Sequence, residues 1–258
     1  MQGFVFSDPL ALAAACLAVV LVGLSKGGLG GAMALLGVPV MALTIPPVQA
    51  AGILLPILIV MDWVSLWSWR GTFDRRVLKM MLPAAMVGIA VGWATAAWTS
   101  DAMVRLIVGV IALVFVARWA QGAIKARRSP ATPRPHNAAA AGVWGSLAGY
   151  TSFVAHAGGP PYQVYTLPLR QDPRLYTGTS VVFFAVVNMV KLIPYAALGQ
   201  LDVANLTASA MLMPLAALAT LAGAALVRRM RPEVFYPLMY TMVTLVGCKL
   251  TWDGLQAL

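Results

Sequence analysis

Long apolar runs separated by short polar punctuation set the class of fold. They fall at 9–24, 32–44, 47–69, 77–98, 102–124, 138–155, 160–169, 174–198, 203–227 and 233–251. A bilayer core about 30 Å thick takes about 20 largely apolar helical residues per crossing. None of the runs alternates as a barrel strand does, so helices that satisfy their own backbone groups are expected. Two runs, 32–44 and 160–169, are too short for ordinary spans. The chain is 60% hydrophobic and only 10% charged, with a mean hydropathy of +0.83, which excludes a soluble domain.

The net charge of +10 raises nucleic acid or anionic lipid as partners. Loop lysines and arginines that orient a membrane protein explain it better, and no nucleic acid is expected. Cys16 and Cys248 both lie in apolar runs and suggest neither a disulfide framework nor a metal site. Residues 1–25 hold no Lys or Arg, so 9–24 is read as the first mature helix rather than a cleaved signal.

The most basic stretch, "KARRSPATPRPHN" at 125–137, carries prolines that forbid a continuing helix. It reads as a linker between two transmembrane repeats, 1–124 and 138–258. Gly30 and Pro39 match Gly159 and Pro168 at an offset of 129. Gly52 and Asp62 match Gly178 and Asn188 at 126, and Pro83 and Gly92 match Pro214 and Gly223 at 131. Ten crossings from an exterior N-terminus put fifteen of the eighteen basic residues, and the linker, on the cytoplasmic side. The expectation is an all-α polytopic membrane protein of two inverted repeats. Each has about five helical elements, and the short broken or re-entrant pieces lie at about 28–44 and 158–170. Eight to ten transmembrane segments follow, depending on whether those pieces cross.

The helix before each break is short for a span, so each break should lie below its own interface. Non-helical backbone at that depth is tolerated only where protein buries it or a cavity solvates it. Glycines there free backbone N–H groups, and a helix starting after the break directs its positive dipole end inward. Such a site suits an anion. Lys26 stands at the first break, His156 at the second, and Lys191 and Asp62 within long helices. An intramembrane ionisable group marks a path or a relay unless it is merely structural. Lys26 has the alternative of snorkelling to the interface, His156 of capping carbonyls, and Lys191 with Asp62 of neutralising each other. The candidate anion-binding set is Lys26, Gly27, Gly28, Gly30, Gly31, Tyr150, Thr151, Ser152, His156, Gly158, Gly159, Gln163, Asn188 and Lys191. Asp62 and His156 are the candidate proton carriers. The tryptophans at 63, 67, 69, 98, 119 and 252 read as interfacial anchors.

"GLSKGGLGGAMALLGVPVMAL" with the helix after it, and "GYTSFVAHAGGPPYQVYTLPL" with "LYTGTSVVFFAVVNMVKLIPYAALGQLD", resemble the TauE/SafE sulfite-exporter family over roughly 10–250. The resemblance implies a permease of the bacterial cytoplasmic (inner) membrane for small sulfur-containing anions such as sulfite or sulfoacetate. The partners expected are that anion and the lipid bilayer, with a homodimer left open; no cofactor is expected. A secondary transporter working by alternating access is the leading reading. An anion channel, a permease for another small organic anion and an accessory subunit are the alternatives. An enzyme is not expected, because the two histidines form no cluster with cysteines or acids.

Overall fold

The computed structural model describes residues 8–29, 33–45, 47–95, 98, 100–125, 133–155, 157–197 and 203–257. It is all-helical there, and several helices begin where a side chain caps the first turn. α1 (Pro9–Leu24) opens with Pro9 at a position that needs no N–H, and Asp8 accepts from Leu10 N at 3.1 Å. A kinked stretch, Ser25–Leu29, follows, with Gly28 at φ 141°. One 3-10 turn (Met33–Leu36) leads into α2 (Gly37–Met41), and then α3 (Pro47–Ser68). α4 (Arg75–Thr95) is capped by Asp74, whose Oδ1 accepts from the amides of Arg76 and Val77. α5 (Asp101–Lys125) and α6 (Ala138–Ala155) begin at Ser100 and Asn137 in the same manner. α7 (Gly159–Thr166) passes into a 3-10 turn, Leu167–Leu169. α8 (Pro173–Ala197), α9 (Val203–Arg228) and α10 (Pro232–Gln256) complete the chain.

Among the described residues six helices are long and apolar enough to cross a membrane: α1 with its kinked extension, α4, α5, α8, α9 and α10. The apolar part of α3, Gly52–Ser68, is shorter. α2 and α7 have 5 and 8 residues. They rise about 8 and about 12 Å, far below the bilayer core. The chain is therefore a polytopic α-helical membrane protein, with short elements where the apolar runs were short.

The helices gather into two compact units, Met1–Phe73 with Thr177–Met230, and Asp74–Tyr176 with Arg231–Leu258. The first contains α1, α2, α3, most of α8, and α9. Its core runs through Ala11, Ala15, Val19, Ile53, Ile57 and Met61 to Leu212 and Ala216. The second contains α4, α5, α6, α7 and α10. Within it, α4 lies against α6 and α5 against α10, where Trp119 stacks on Tyr240 at 3.9 Å between centroids. Each unit thus draws helices from both halves of the sequence, before and after the stretch between α5 and α6.

Backbone-to-backbone approach at glycine is the packing device of both units. In the first, a Cβ on Gly27 of the kinked stretch would sit 2.3 Å from the Thr220 carbonyl oxygen of α9. A Cβ on Gly88 of α4 would sit 2.0 Å from Ser146 O of α6, and one on Gly149 of α6 2.0 Å from Ala85 O of α4. Lipid tails are as apolar as Leu side chains, so association inside a bilayer relies on such close contact between small residues.

Candidate functional site

α1 loses its regular hydrogen-bond pattern at Ser25, and Gly28 adopts a conformation that only glycine takes without strain. The kink turns Lys26 into the first unit, where its side chain is 14% exposed. Its ammonium donates to Asp62 Oδ1 of α3 at 2.6 Å. The other carboxylate oxygen, Oδ2, accepts from Asn188 Nδ2 of α8 at 2.8 Å. One turn further along α8, on the same face, Lys191 is 7% exposed and interacts electrostatically with both Lys26 and Asp62. Lys26, Asp62, Asn188 and Lys191, named from separate stretches of sequence, therefore meet in one unit. The ion pair of this cluster is Lys26 with Asp62.

The kinked backbone is braced from α3. Ser65 Oγ donates to the Lys26 carbonyl at 2.9 Å, and Trp69 Nε1 donates to the Gly27 carbonyl at 2.9 Å. Arg228 of α9 lies over the Trp69 ring, 5.2 Å from its centroid, and donates to the Ser68 carbonyl. Trp69 is 2% exposed. Its expected place as an interfacial anchor is therefore corrected: the indole fills the unit and satisfies a carbonyl the kink leaves open. Trp63, Trp67, Trp98 and Trp252 are exposed, as membrane-facing anchors are. Ser65, Trp69 and Arg228 were missed as site-shaping residues. The sequence signal was their spacing: Ser65 and Trp69 stand four residues apart across the end of α3, and Arg228 closes α9.

Gly27 is explained by its approach to α9, and Gly28 by its φ together with the Thr177 side chain, which a Cβ would meet at 2.6 Å. The Thr177 hydroxyl is buried with no hydrogen-bond partner among the described residues. Gly30, Gly31 and His156 lie outside the described residues, as does the loop 199–202.

The second break belongs to the other unit. Thr151 Oγ1 donates to Leu147 O at 2.7 Å and to Ala157 O at 3.2 Å, while Ala157 N donates to Thr151 O at 3.0 Å. Thr151 thus closes the end of α6 onto the break. Ser152 is buried, and a Cβ on Gly158 would meet its side chain at 2.8 Å; Gly159 faces open space. Tyr150 borders Gly88 and Gly92 of α4. Gln163 is buried in α7 and hydrogen-bonds Tyr176, as does Thr166. Pro160 and Pro161 occupy the first turn of α7. They lack N–H groups, so this helix start offers fewer amide donors than its glycines suggest.

The cluster in the first unit presents an ammonium and an amide N–H₂ converging on one carboxylate, with a second lysine in range. These are the donor types that recognise oxyanions, held in a buried setting where charge interactions are weakly screened. A family model described as "Sulfite exporter TauE/SafE" matches residues 15–250, nearly the whole chain and including all four residues of the cluster. The chain has no significant match among curated proteins or among solved structures.

Proposed function

The chain belongs to the TauE/SafE sulfite-exporter family, a family of membrane transporters, and from that premise we propose that it moves a small sulfur-containing anion by alternating access. The substrates in view are sulfite and organosulfonates such as sulfoacetate, crossing the bacterial cytoplasmic membrane. The observation that carries this reading is the Lys26–Asp62–Asn188 constellation with Lys191 beside it. Lysines inside a bilayer bundle are costly to maintain, and a path for an anion gives them a use.

The two repeats are proposed to be inverted. In support, Gly92 of α4 borders Phe153 of α6, and Gly223 of α9 borders Leu24 of α1. The glycines correspond at the offset of 131 and their neighbours at 129. Inverted repeats let one gate close as its counterpart opens, and their substrate sites lie near mid-membrane. The basic residues around 70–79, the linker and 228–231 support a cytoplasmic linker and an exterior N-terminus. Outward movement of an anion is favoured by an inside-negative potential, about 2.3 kcal/mol per charge per 100 mV.

The test is a flux screen with the purified chain in liposomes, across sulfite, sulfoacetate, taurine, sulfate and short carboxylates. Saturable flux of a sulfur oxyanion, with counter-transport of labelled substrate, supports the reading. Absence of flux for every sulfur anion, or flux without saturation or counter-transport, overturns it.

A further inference from the structure

Asp62 has both oxygens engaged, Oδ1 by the Lys26 ammonium at 2.6 Å and Oδ2 by Asn188 Nδ2 at 2.8 Å. Those are the contacts an incoming oxyanion needs. An anion cannot take Lys26 beside an ionised Asp62 without placing two negative charges in one buried setting, which burial makes expensive. We propose that Asp62 is a built-in counter-anion that holds the substrate's seat, and that an oxyanion takes Lys26 as a proton neutralises Asp62. This rests on the transporter reading and adds its coupling: one proton is taken up for each anion bound, and the two travel together.

The step balances. A proton from solution bonds to Asp62 Oδ1, and the Lys26 ammonium, still protonated, is released from the carboxylate and pairs with the anion. Oδ2 goes on accepting from Asn188, so the neutral acid keeps a partner while the exchange occurs. Among the described residues, the charged side chains that the packed elements bring to this unit near Asp62 are these. Lys26 comes from the kinked stretch, Lys191 from α8 and Arg228 from α9, the last engaged with Ser68 and Trp69. α1 brings only Cys16 as a titratable side chain, and α2 brings none. Asp62 is thus the acidic group of this cluster, and each anion bound is matched by a proton there.

Coupling of this kind is reciprocal. Uptake of one proton per anion makes anion affinity fall about tenfold for each unit rise in pH. The probe is sulfoacetate, whose own charge stays constant between about pH 6 and about pH 8.5. Calorimetry of the full chain in lipid nanodiscs, repeated in buffers of differing ionisation enthalpy, counts protons directly. The expected result is uptake of close to one proton per sulfoacetate, with affinity weakening as pH rises. Asp62→Asn keeps the amide contact and removes the titrating group; it should bind with affinity independent of pH and take up no proton. Binding by the wild-type chain that is independent of pH and without proton uptake overturns the coupling and leaves the transporter reading standing. So does a folded Asp62→Asn chain that has lost binding. No binding of sulfoacetate, sulfite or sulfate at any pH overturns both. Should Asp62→Asn fail to fold, Asp62→Ser carries the same comparison, because Lys191 beside the pair is also titratable and only loss of the uptake on replacing Asp62 assigns the proton to it.

Discussion

Asp62 and Asn188 stand 126 residues apart and hydrogen-bond directly, and 126 is also the offset that aligns Gly52 with Gly178. A residue that touches its own counterpart lies on the axis relating two copies, as in any two-fold contact. For inverted repeats that axis runs in the membrane plane. Under the proposed inverted repeat the pair would mark mid-depth, with the symmetry broken there by chemistry: a carboxylate in one copy, an amide in the other. Asn188→Asp restores the symmetry and places two acids side by side, which then share a proton. The expected outcome is a folded protein whose sulfoacetate binding at pH about 7.5 drops more than about tenfold and recovers on acidification. Binding titrations at two pH values check it.

Lys26→Ala removes the ammonium and strands Asp62 among buried groups. Breaking a buried pair by removing one partner costs about 3–5 kcal/mol, so thermal stability should fall along with anion binding. Lys26→Ala combined with Asp62→Asn should regain most of the stability and none of the binding. Melting curves and flux on the same preparations separate the two effects. Equal loss of stability in the single and double variants contradicts the pair's assigned role.

Gly27 and Gly142 are both glycines beside or within helices, with opposite surroundings. A Cβ at 27 would lie 2.3 Å from Thr220 O and 2.7 Å from Ala224 N, both backbone atoms, while a Cβ at 142 meets nothing within 4 Å. Gly27→Ala should destabilise by about 1–3 kcal/mol or more, because backbone cannot step aside as a side chain does. Gly142→Ala, inside α6, should gain about 0.5–1 kcal/mol. Denaturation of the two variants in matched lipid–detergent mixtures gives the comparison.

Asp74 caps α4 through Oδ1 and accepts from Gln171 Nε2 at 2.6 Å through Oδ2, with His136 Nε2 at 3.6 Å. Asp74→Ala should cost about 1–2 kcal/mol, the usual worth of an N-cap or more. Asp8→Ala loses a single exposed cap bond and should cost less. Hydrogen exchange over the first turn of α4 reads the loss locally.

The helices were legible because the apolar runs carry their lengths: α1 begins at Pro9 and ends at Leu24, as the run at 9–24 predicts. The short pieces were legible as short for the same reason. The partner of Asp62 was not. Sequence placed Lys191 and Asp62 in equivalent helices and left their mutual neutralisation open, whereas the kink at Gly28 brings Lys26 onto the carboxylate. No periodicity records such a turn, because it depends on a φ of 141° at one residue. Trp69 was misread because an indole near a span end has two uses, and only the Gly27 carbonyl left open by the kink selects the inward one.

The ion pair is made from residues 26 and 62, but its amide partner is residue 188. During synthesis the ribosome has delivered both charges once α3 emerges, long before α8 exists. Both charges that cancel in the folded unit are thus present in the chain before the residues that pack around them. The later half brings Asn188, which completes the contacts of the carboxylate, and α9, against which the kink at Gly27 is seated.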